Sequence, residues 1–167
     1  MRLRRVRTLL IGLAMVLAIP FLEAEAIPVP RDRMLLEQAV ATLKERAHTL
    51  VELARLARFY FVDAIDLDPA AASQHLTAAA APLLDDVGAR LAALSQWTAE
   101  SLERLVRDVA DAHGVKLGKL AQPVRVALTG STASPGLFEV MAILGREKTL
   151  ARLDAARAHV TKTPSSP

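Results

Sequence analysis

The stretch that decides the fold spans residues 98–114 and has the sequence TAESLERLVRDVADAHG. Thr98 is a good N-cap because its hydroxyl can accept a hydrogen bond from a free amide of the first helical turn. Gly114 ends the stretch with a residue typical of helix C-termini. Between them, apolar residues recur at the spacing i, i+3, i+4 and i+7, namely Leu102, Leu105, Val106 and Val109. This spacing predicts an amphipathic α-helix with one face in a core.

The chain before this helix carries the same kind of pattern. Asp32 is a suitable N-cap for a stripe of apolar residues at helical spacing. The stretch from there to Phe61 forms either one long helix or two helices with a bend. Residues 59–61 are all aromatic. Consecutive side chains point in different directions on a helix, so these rings are expected to pack between helices rather than to stack on bases.

Prolines mark the starts of the other helices. Asp68 and Pro69 predict an N-cap and a first helical residue, and Ser134 and Pro135 predict a second such start. Gly145 is expected to end the helix that begins at Ser134. The predicted helices therefore cover about 69–80, 82–94, 117–128, 134–145 and 148–160, with a loop at 129–134 and Pro123 inside the third of them.

Length and composition agree with a helical fold. The chain has 167 residues, 31 of them alanine, 52% hydrophobic residues, 4% aromatic residues and no cysteine. This size suits one domain or two small ones, and the apolar fraction with a net charge of only +3 argues against disorder. A disulfide scaffold is excluded, and no alternating strand pattern is evident. The sequence therefore predicts an all-α helical bundle.

The charge is unevenly distributed. Residues 1–30 carry four arginines and two glutamates, residues 31–112 carry nine basic and thirteen acidic groups, and residues 113–167 carry eight basic and three acidic groups. A basic final third behind an acidic middle would orient an anionic partner. A solvated surface with chance clustering is the alternative.

Several kinds of catalytic or metal site are not supported. The four histidines lie far apart in sequence and form no H-E-x-x-H pair. Asp63, Asp66 and Asp68 lack the later ligands of an EF-hand, so a solvated turn is expected there. Residues 114–120, GVKLGKL, are one residue short of a phosphate-binding loop and lack its Ser or Thr.

The N-terminus resembles a secretory signal. Arginines at positions 2, 4, 5 and 7 precede an apolar run over residues 9–22, and Ala24-Glu25-Ala26 matches a cleavage site. The run is short for a transmembrane helix, which needs about 20 residues. The alternative is a core helix that ends near Pro20.

The segment around residues 116–134 is the candidate nucleic-acid site. Lys116, Lys119 and Arg125 are spaced to present positive charge near one another, and the loop at 129–134 supplies small side chains. Cations bind phosphates, and free amides at helix N-termini favour acceptor groups. A turn between two packed helices with exposed lysines explains the same residues without RNA.

This region closely resembles the C-terminal end of bacterial glutamyl-tRNA synthetase. The similar stretches are residues 116–130 (KLGKLAQPVRVALTG), 134–139 (SPGLFE) and 144–147 (LGRE), with 43–47 (LKERA), 58–61 (RFYF) and Trp97-Thr98 in the family's order. The resemblance covers roughly residues 18–160. It implies an all-α fold like the anticodon-binding region of this class I synthetase, which grips the anticodon loop of tRNA(Glu).

The resemblance also implies site residues. The family's base-contacting positions correspond to Gln122 and Arg125, and to Ser134, Pro135 and Leu137. Arg107 corresponds through helix alignment rather than through a motif. Lys116 and Lys119 are expected to contact phosphates. In this hypothesis Gln122 and Arg125 bond base edges, the helix start at Ser134 offers amides, and Pro135 and Leu137 offer apolar surface.

The chain departs from the family in its catalytic half. The signature motifs H-I-G-H and K-M-S-K-S are absent, so no catalysis and no cofactor are expected from this chain alone, with ATP and Mg2+ used only by the full-length enzyme. A truncated synthetase, a gene fragment and a stand-alone binding module all remain open, as does a ligase component completed by a separate catalytic chain. His48 stands where the family commonly has lysine.

The resemblance implies a division of the chain. Residues 1–17 are unassigned, 18–95 form a helical linker subdomain, 96–160 form the anticodon-binding subdomain, and 161–167 form a disordered tail. Because the signal-like segment at 19–26 then belongs to the helical region, we expect a cytoplasmic protein without membrane contact. Export of a purely structural helical protein that does not bind RNA is the alternative.

Overall fold

The computed structural model describes residues 33–162, and in this range every regular element is helical. The α-helices are α1 (Arg33–Leu43), α2 (Leu50–Phe61), α3 (Pro69–His75), α4 (Ala81–Ala93), α5 (Ala99–Ala112), α6 (Leu117–Thr129) and α7 (Leu137–Lys162), with a 3-10 turn at Ala78–Ala80. The predicted all-α class is confirmed. Contacts divide the chain into two compact units, one up to Asp63 and one from Ala64 onward. The subdomain boundary expected between residues 95 and 96 stays a prediction.

In the first unit, α1 and α2 pack against each other as two separate helices. Thr49 caps α2 by accepting from the Glu52 amide, and the Glu52 carboxylate accepts from the Thr49 amide in return. The apolar pattern allowed either one long helix or two helices with a bend. This reciprocal capping box decides for two, because it begins a new helix at Leu50. The N-cap predicted at Asp32 lies outside the described residues.

Among the aromatic residues 59–61, Tyr60 has the packing role expected of them, whereas Phe59 and Phe61 are half-buried. Tyr60 is fully buried, and its hydroxyl lies 3.1 Å from the Thr42 hydroxyl of α1. The Phe59 and Tyr60 rings are tilted, with centroids 4.1 Å apart. Tyr60 therefore joins α2 to α1.

The second unit is built around α5. Its predicted stripe is buried, with Leu102, Val106 and Val109 fully so, and it packs against α4, α6 and α7. Thr98 caps the helix as predicted by accepting from the Ser101 amide. Helix α5 ends at Ala112, just before Gly114. One amphipathic helix thus contacts three neighbours, as its wide apolar face requires.

A polar link also joins α4 to α5. The Asp86 carboxylate accepts two hydrogen bonds from Arg90, at 2.8 and 3.0 Å, and lies 3.1 Å from His113 Nε2. The Arg90 guanidinium, with a smaller effect of His113, holds the pKa of Asp86 below its usual value. The contribution of this link to stability is therefore present at neutral pH and is lost only as the pH falls through that lowered pKa.

Two helix ends differ from the sequence prediction. The alanine-rich helix stops at His75 rather than near Ala80, and the 3-10 turn follows it. Alanine favours helix but does not by itself set where a short helix ends. Helix α7 breaks at Gly145, as predicted, where φ is +76° and ψ is 171°. It then continues to Lys162, two residues into the predicted tail, while residues 163–167 lie outside the described part.

The end of α6 is fastened to the start of α3. Gly130 follows α6 with φ +78°, and its carbonyl accepts from the Asp68 amide at 2.8 Å. Asp68 is also the N-cap of α3, as predicted, and Pro69 follows it. A Cβ at Gly130 would overlap the backbone carbonyl of Asp66. Only glycine combines this left-handed conformation with so close an approach.

Arg146 caps the C-terminus of α4. It directly follows the break in α7, and its guanidinium donates to the carbonyls of Leu91 (3.0 Å), Ala92 (2.8 Å) and Leu94 at the C-terminus of α4. The same guanidinium lies 5.1 Å from the centre of the Trp97 ring. The Trp97 indole donates to the Met141 carbonyl at 2.9 Å. Arg146 therefore supplies charged donors to the last carbonyls of α4, of which that of Leu91 also accepts from the Leu94 amide at 3.2 Å.

No helix within residues 33–162 is both long enough and apolar enough to span a membrane.

The variant Gly130→Ala is expected to destabilise the protein. The left-handed conformation alone costs an alanine roughly 1–2 kcal/mol, and the overlap with Asp66 adds to this. Gly88→Ala is the matched control, because Gly88 lies inside α4 with open space around it. That change should stabilise the protein by about 1 kcal/mol through helix propensity. Urea unfolding measures both, and equal stability of the two variants would contradict the account of Gly130.

The variant Arg146→Ala should lower the free energy of unfolding by about 2 kcal/mol, because it leaves carbonyls at the end of α4 without charged donors. Trp97 is the only tryptophan of the chain, so its fluorescence reports this site directly. We expect its emission to shift to the red as the cation over the ring is removed. Arg157→Ala, which breaks an exposed pair with Asp85, is the control and should cost less than about 1 kcal/mol. A larger loss in the control would contradict this assignment.

Candidate nucleic-acid interface

Helix α6 begins with an exposed basic turn. Lys116 is its N-cap residue, and no side chain caps the first amides. Lys119 is exposed in the first turn, and its own amide donates to the Lys116 carbonyl at 2.8 Å. Uncapped amides and two ammonium groups at one helix start attract phosphate. The two lysines are thus exposed in one helical turn, and their contact with phosphate stays a prediction.

One face of α6 runs from this turn to the end of the helix. Gly118, Gln122, Arg125 and Thr129 follow one another at i, i+4, i+7 and i+11, and none of them is buried. The opposite face packs into the core through Leu120, Val124, Ala127 and Leu128. Gln122 and Arg125 therefore lie one turn apart on the same accessible face.

Arg125 joins this face to the loop of residues 130–136. Its Nη1 donates to the Pro135 carbonyl at 2.7 Å and to the Ser134 hydroxyl, and lies 3.4 Å from the Ser134 carbonyl. The structure thus brings Arg125, Ser134 and Pro135 together, although nine or ten residues separate them in sequence. Arg125 therefore fixes the C-terminal end of this loop through hydrogen bonds within the protein.

The helix start expected at Ser134 is wrong. Helix α7 begins at Leu137, and the Val140 amide donates to the Gly136 carbonyl at 2.9 Å. The Ser134 hydroxyl donates to the Pro135 carbonyl instead of capping a helix. The pair of serine and proline has the residue types of a helix start, but the guanidinium of Arg125 competes for the same groups.

The 130–136 loop is also ordered from its first residues. The Thr129 hydroxyl donates to the Arg125 carbonyl at 2.9 Å and lies 3.1 Å from the Ser131 carbonyl. The Ser131 hydroxyl accepts from the Ala133 amide at 3.2 Å. Thr132 and Ala133 are exposed at the tip. Short polar side chains thus shape a loop whose tip remains accessible.

Two predicted contact residues are buried. Pro135 belongs to the interior, and only 4% of Leu137 is exposed. Contact of their side chains with unstacked bases stays a prediction, but in this conformation they anchor the loop to the core. Arg107 is exposed on α5, where its guanidinium bonds Glu103 at 2.6 Å.

Gln122 carries an unusual feature. Its side-chain oxygen is buried and has no hydrogen-bond partner within the described residues. A buried acceptor without a donor is rare in folded proteins and costs free energy.

Sequence reasoning missed the roles of two arginines that bond helix ends in the second unit. Arg146 caps α4, and Arg152, which is only 3% exposed, donates to the Leu128 carbonyl at 2.6 Å. All four arginines after residue 112 have partners inside the chain, since Arg125 bonds the loop and Arg157 pairs with Asp85. Part of the positive charge of residues 113–167 is therefore engaged in contacts within the protein. The only sequence feature that could have indicated Arg146 is its position directly after Gly145, the glycine at which a helix was predicted to end.

Comparison with known proteins agrees with the described geometry. The chain is 45% identical over 139 residues to a glutamate–tRNA ligase of Myxococcus xanthus, covering 83% of this chain and 29% of that protein. It is 52% identical over 133 residues to glutamate–tRNA ligase 2 of Rhodospirillum rubrum, covering 75% of this chain and 27% of that protein. The chain therefore spans less than a third of the length of these relatives.

The fold is also found in a solved structure. A crystal structure of a glutamate tRNA ligase from Elizabethkingia meningosepticum matches with a TM-score of 0.79 and 22% identity, over 92% of this chain and 29% of that one. The family model described as the anticodon binding domain matches residues 14–157, which include every candidate contact residue. The helical fold, the accessible face of α6 and this match together show that the chain belongs to the anticodon-binding domain family.

Proposed function

We propose that this protein binds tRNA(Glu) through the anticodon loop of the RNA, using the open face of α6 and the 130–136 loop. The observation that carries the proposal is the family match over residues 14–157. In this proposal, Lys116 and Lys119 bind phosphates at the uncapped start of α6. Gln122 and the 130–136 loop contact bases, and Arg107 extends the contact surface on α5.

The proposal gives the candidate residues two kinds of role. Sequence-independent affinity comes from exposed cations, whereas preference for one anticodon comes from groups that bond base edges. Arg125 combines both, since it orders the loop through Nη1 and lies beside Gln122 on the open face. Pro135 and Leu137 shape the loop from inside. RNA loops are recognised in this way, by unstacked bases laid against a preformed surface.

We propose that the joining of glutamate to tRNA, with ATP and Mg2+, belongs to a separate catalytic domain. The relatives that are glutamate–tRNA ligases are more than three times as long as the matched region. We place the protein in the cytoplasm, because the family match begins at residue 14 and so includes Ala24-Glu25-Ala26. This supports assigning that segment to the matched domain rather than to an export signal.

Lys119→Ala should weaken binding of every tRNA to a similar degree, because a phosphate contact carries no sequence information. The slope of log K against log salt concentration should fall by about one. Filter binding at several salt concentrations measures both quantities. Arg157→Ala removes the same charge from an exposed position on α7 and should leave the slope unchanged. Equal slopes for the two variants would remove Lys119 from the interface.

Gln122→Ala should act differently, by reducing the preference for the matching anticodon. Loss of a base-edge contact costs about 1–3 kcal/mol with the matching RNA and less with a mismatched one. The measurement compares anticodon stem-loops of tRNA(Glu) with the same stem-loops carrying an altered anticodon. Equal affinity of the unaltered protein for all stem-loops would overturn anticodon recognition and leave only a general basic surface.

A further inference from the structure

We propose that Arg152 is a positioning residue for RNA binding, which sets the 130–136 loop without touching the RNA. The inference rests on the proposed function, because it assigns the loop to the contact with the anticodon. It goes beyond that function by naming a buried residue of α7, outside the proposed contact surface, as a determinant of affinity.

The burial of Arg152 is the first observation. Only 3% of this residue is exposed, and its Nη1 donates to the Leu128 carbonyl at 2.6 Å. A guanidinium stays charged in proteins, so burying it is costly unless acceptors surround it. The short distance to a backbone carbonyl is typical of a charge-assisted hydrogen bond. Arg152 therefore acts on the protein backbone.

The place of that carbonyl is the second observation. Leu128 lies in the last turn of α6, and the chain turns away at Gly130 before an amide four residues on could donate to it. The Gly130 amide donates to the Val126 carbonyl at 2.9 Å, so that carbonyl has its backbone partner. A cation at this end also faces the negative pole of the helix. Arg152 thus bonds the last turn of α6 two residues before the loop begins at Gly130.

The 130–136 loop is held at both ends by arginines. Arg152 holds Leu128 before the loop, and Arg125 holds the Ser134 hydroxyl and the Pro135 carbonyl at its far end. Between these points, Gly130 is fixed by the hydrogen bond to the Asp68 amide. A loop ordered before binding does not lose that freedom when RNA binds, which raises affinity. Release of one end should therefore weaken binding although no RNA contact is removed.

The test uses the full chain with Arg152→Lys, which keeps the charge but loses the planar fork of donors. We expect affinity for the tRNA(Glu) anticodon stem-loop to fall by roughly tenfold, the scale of a loop that must be ordered on binding. In the protein without RNA, hydrogen exchange should become faster at the amides of Gly130 and Asp68. Exchange in the centre of α5 should stay unchanged.

Val87→Ala is the control for a general loss of stability. Val87 is fully buried in α4 and has no part in the loop. Its truncation should lower the melting temperature and leave the affinity for RNA at working temperature within about twofold, because the loop anchors stay intact. If the two variants lose equal stability and equal affinity, Arg152 is merely structural and the proposal is overturned.

Arg152→Gln separates positioning from direct contact, and it serves in place of Arg152→Lys if the buried ammonium prevents folding. Glutamine has no charge, so an unchanged salt slope supports positioning, whereas a slope lower by about one marks Arg152 as a phosphate ligand and overturns the proposal. If the unaltered protein binds no RNA, the proposed function fails. If it binds and both Arg152 variants bind equally well, only this inference fails.

Discussion

Three contacts fix the C-terminal end of helix α6, and the position of the 130–136 loop in the candidate interface follows from them. Gly130 takes a left-handed conformation against the Asp66 carbonyl, its own carbonyl accepts from Asp68, and Arg152 donates to Leu128. An unclosed helix end inside a protein would leave polar backbone groups without partners. Because each constraint uses backbone atoms, the end of α6 is fixed largely independently of the side chains of the loop that follows.

Arginine and lysine have different tasks in the second unit. The arginines at 125, 146 and 152 donate to backbone carbonyls at helix ends and in the loop, where a planar group with several donors suits more than one acceptor. Lys116 and Lys119 stay exposed at the start of α6. Charge counted along the sequence treats these groups alike. In the fold, these arginines bond the backbone, whereas the two lysines are exposed to solvent.

Much of the fold was predictable because local signals suffice for it. The apolar stripe of α5, the cap at Thr98 and the proline start of α3 depend on residues within one or two turns. The predicted cap at Ser134 was wrong because a side chain nine residues earlier, Arg125, takes its hydroxyl. The alanine-rich helix ended early because composition indicates helix without marking its last residue.

The sequence by itself determined the helical class, the family resemblance, the order of most helices, and which residues are candidates for contact with tRNA. Only the tertiary structure decided which of them are accessible. It buried Pro135 and Leu137, left Gln122 and the two lysines of α6 on or near an open face, and revealed Arg146 and Arg152 as caps of distant helix ends. Helical patterns arise from neighbours a few residues apart. The carbonyls that Arg152 and Arg146 bond lie 24 and 55 positions away in the sequence, and no local pattern contains such a separation.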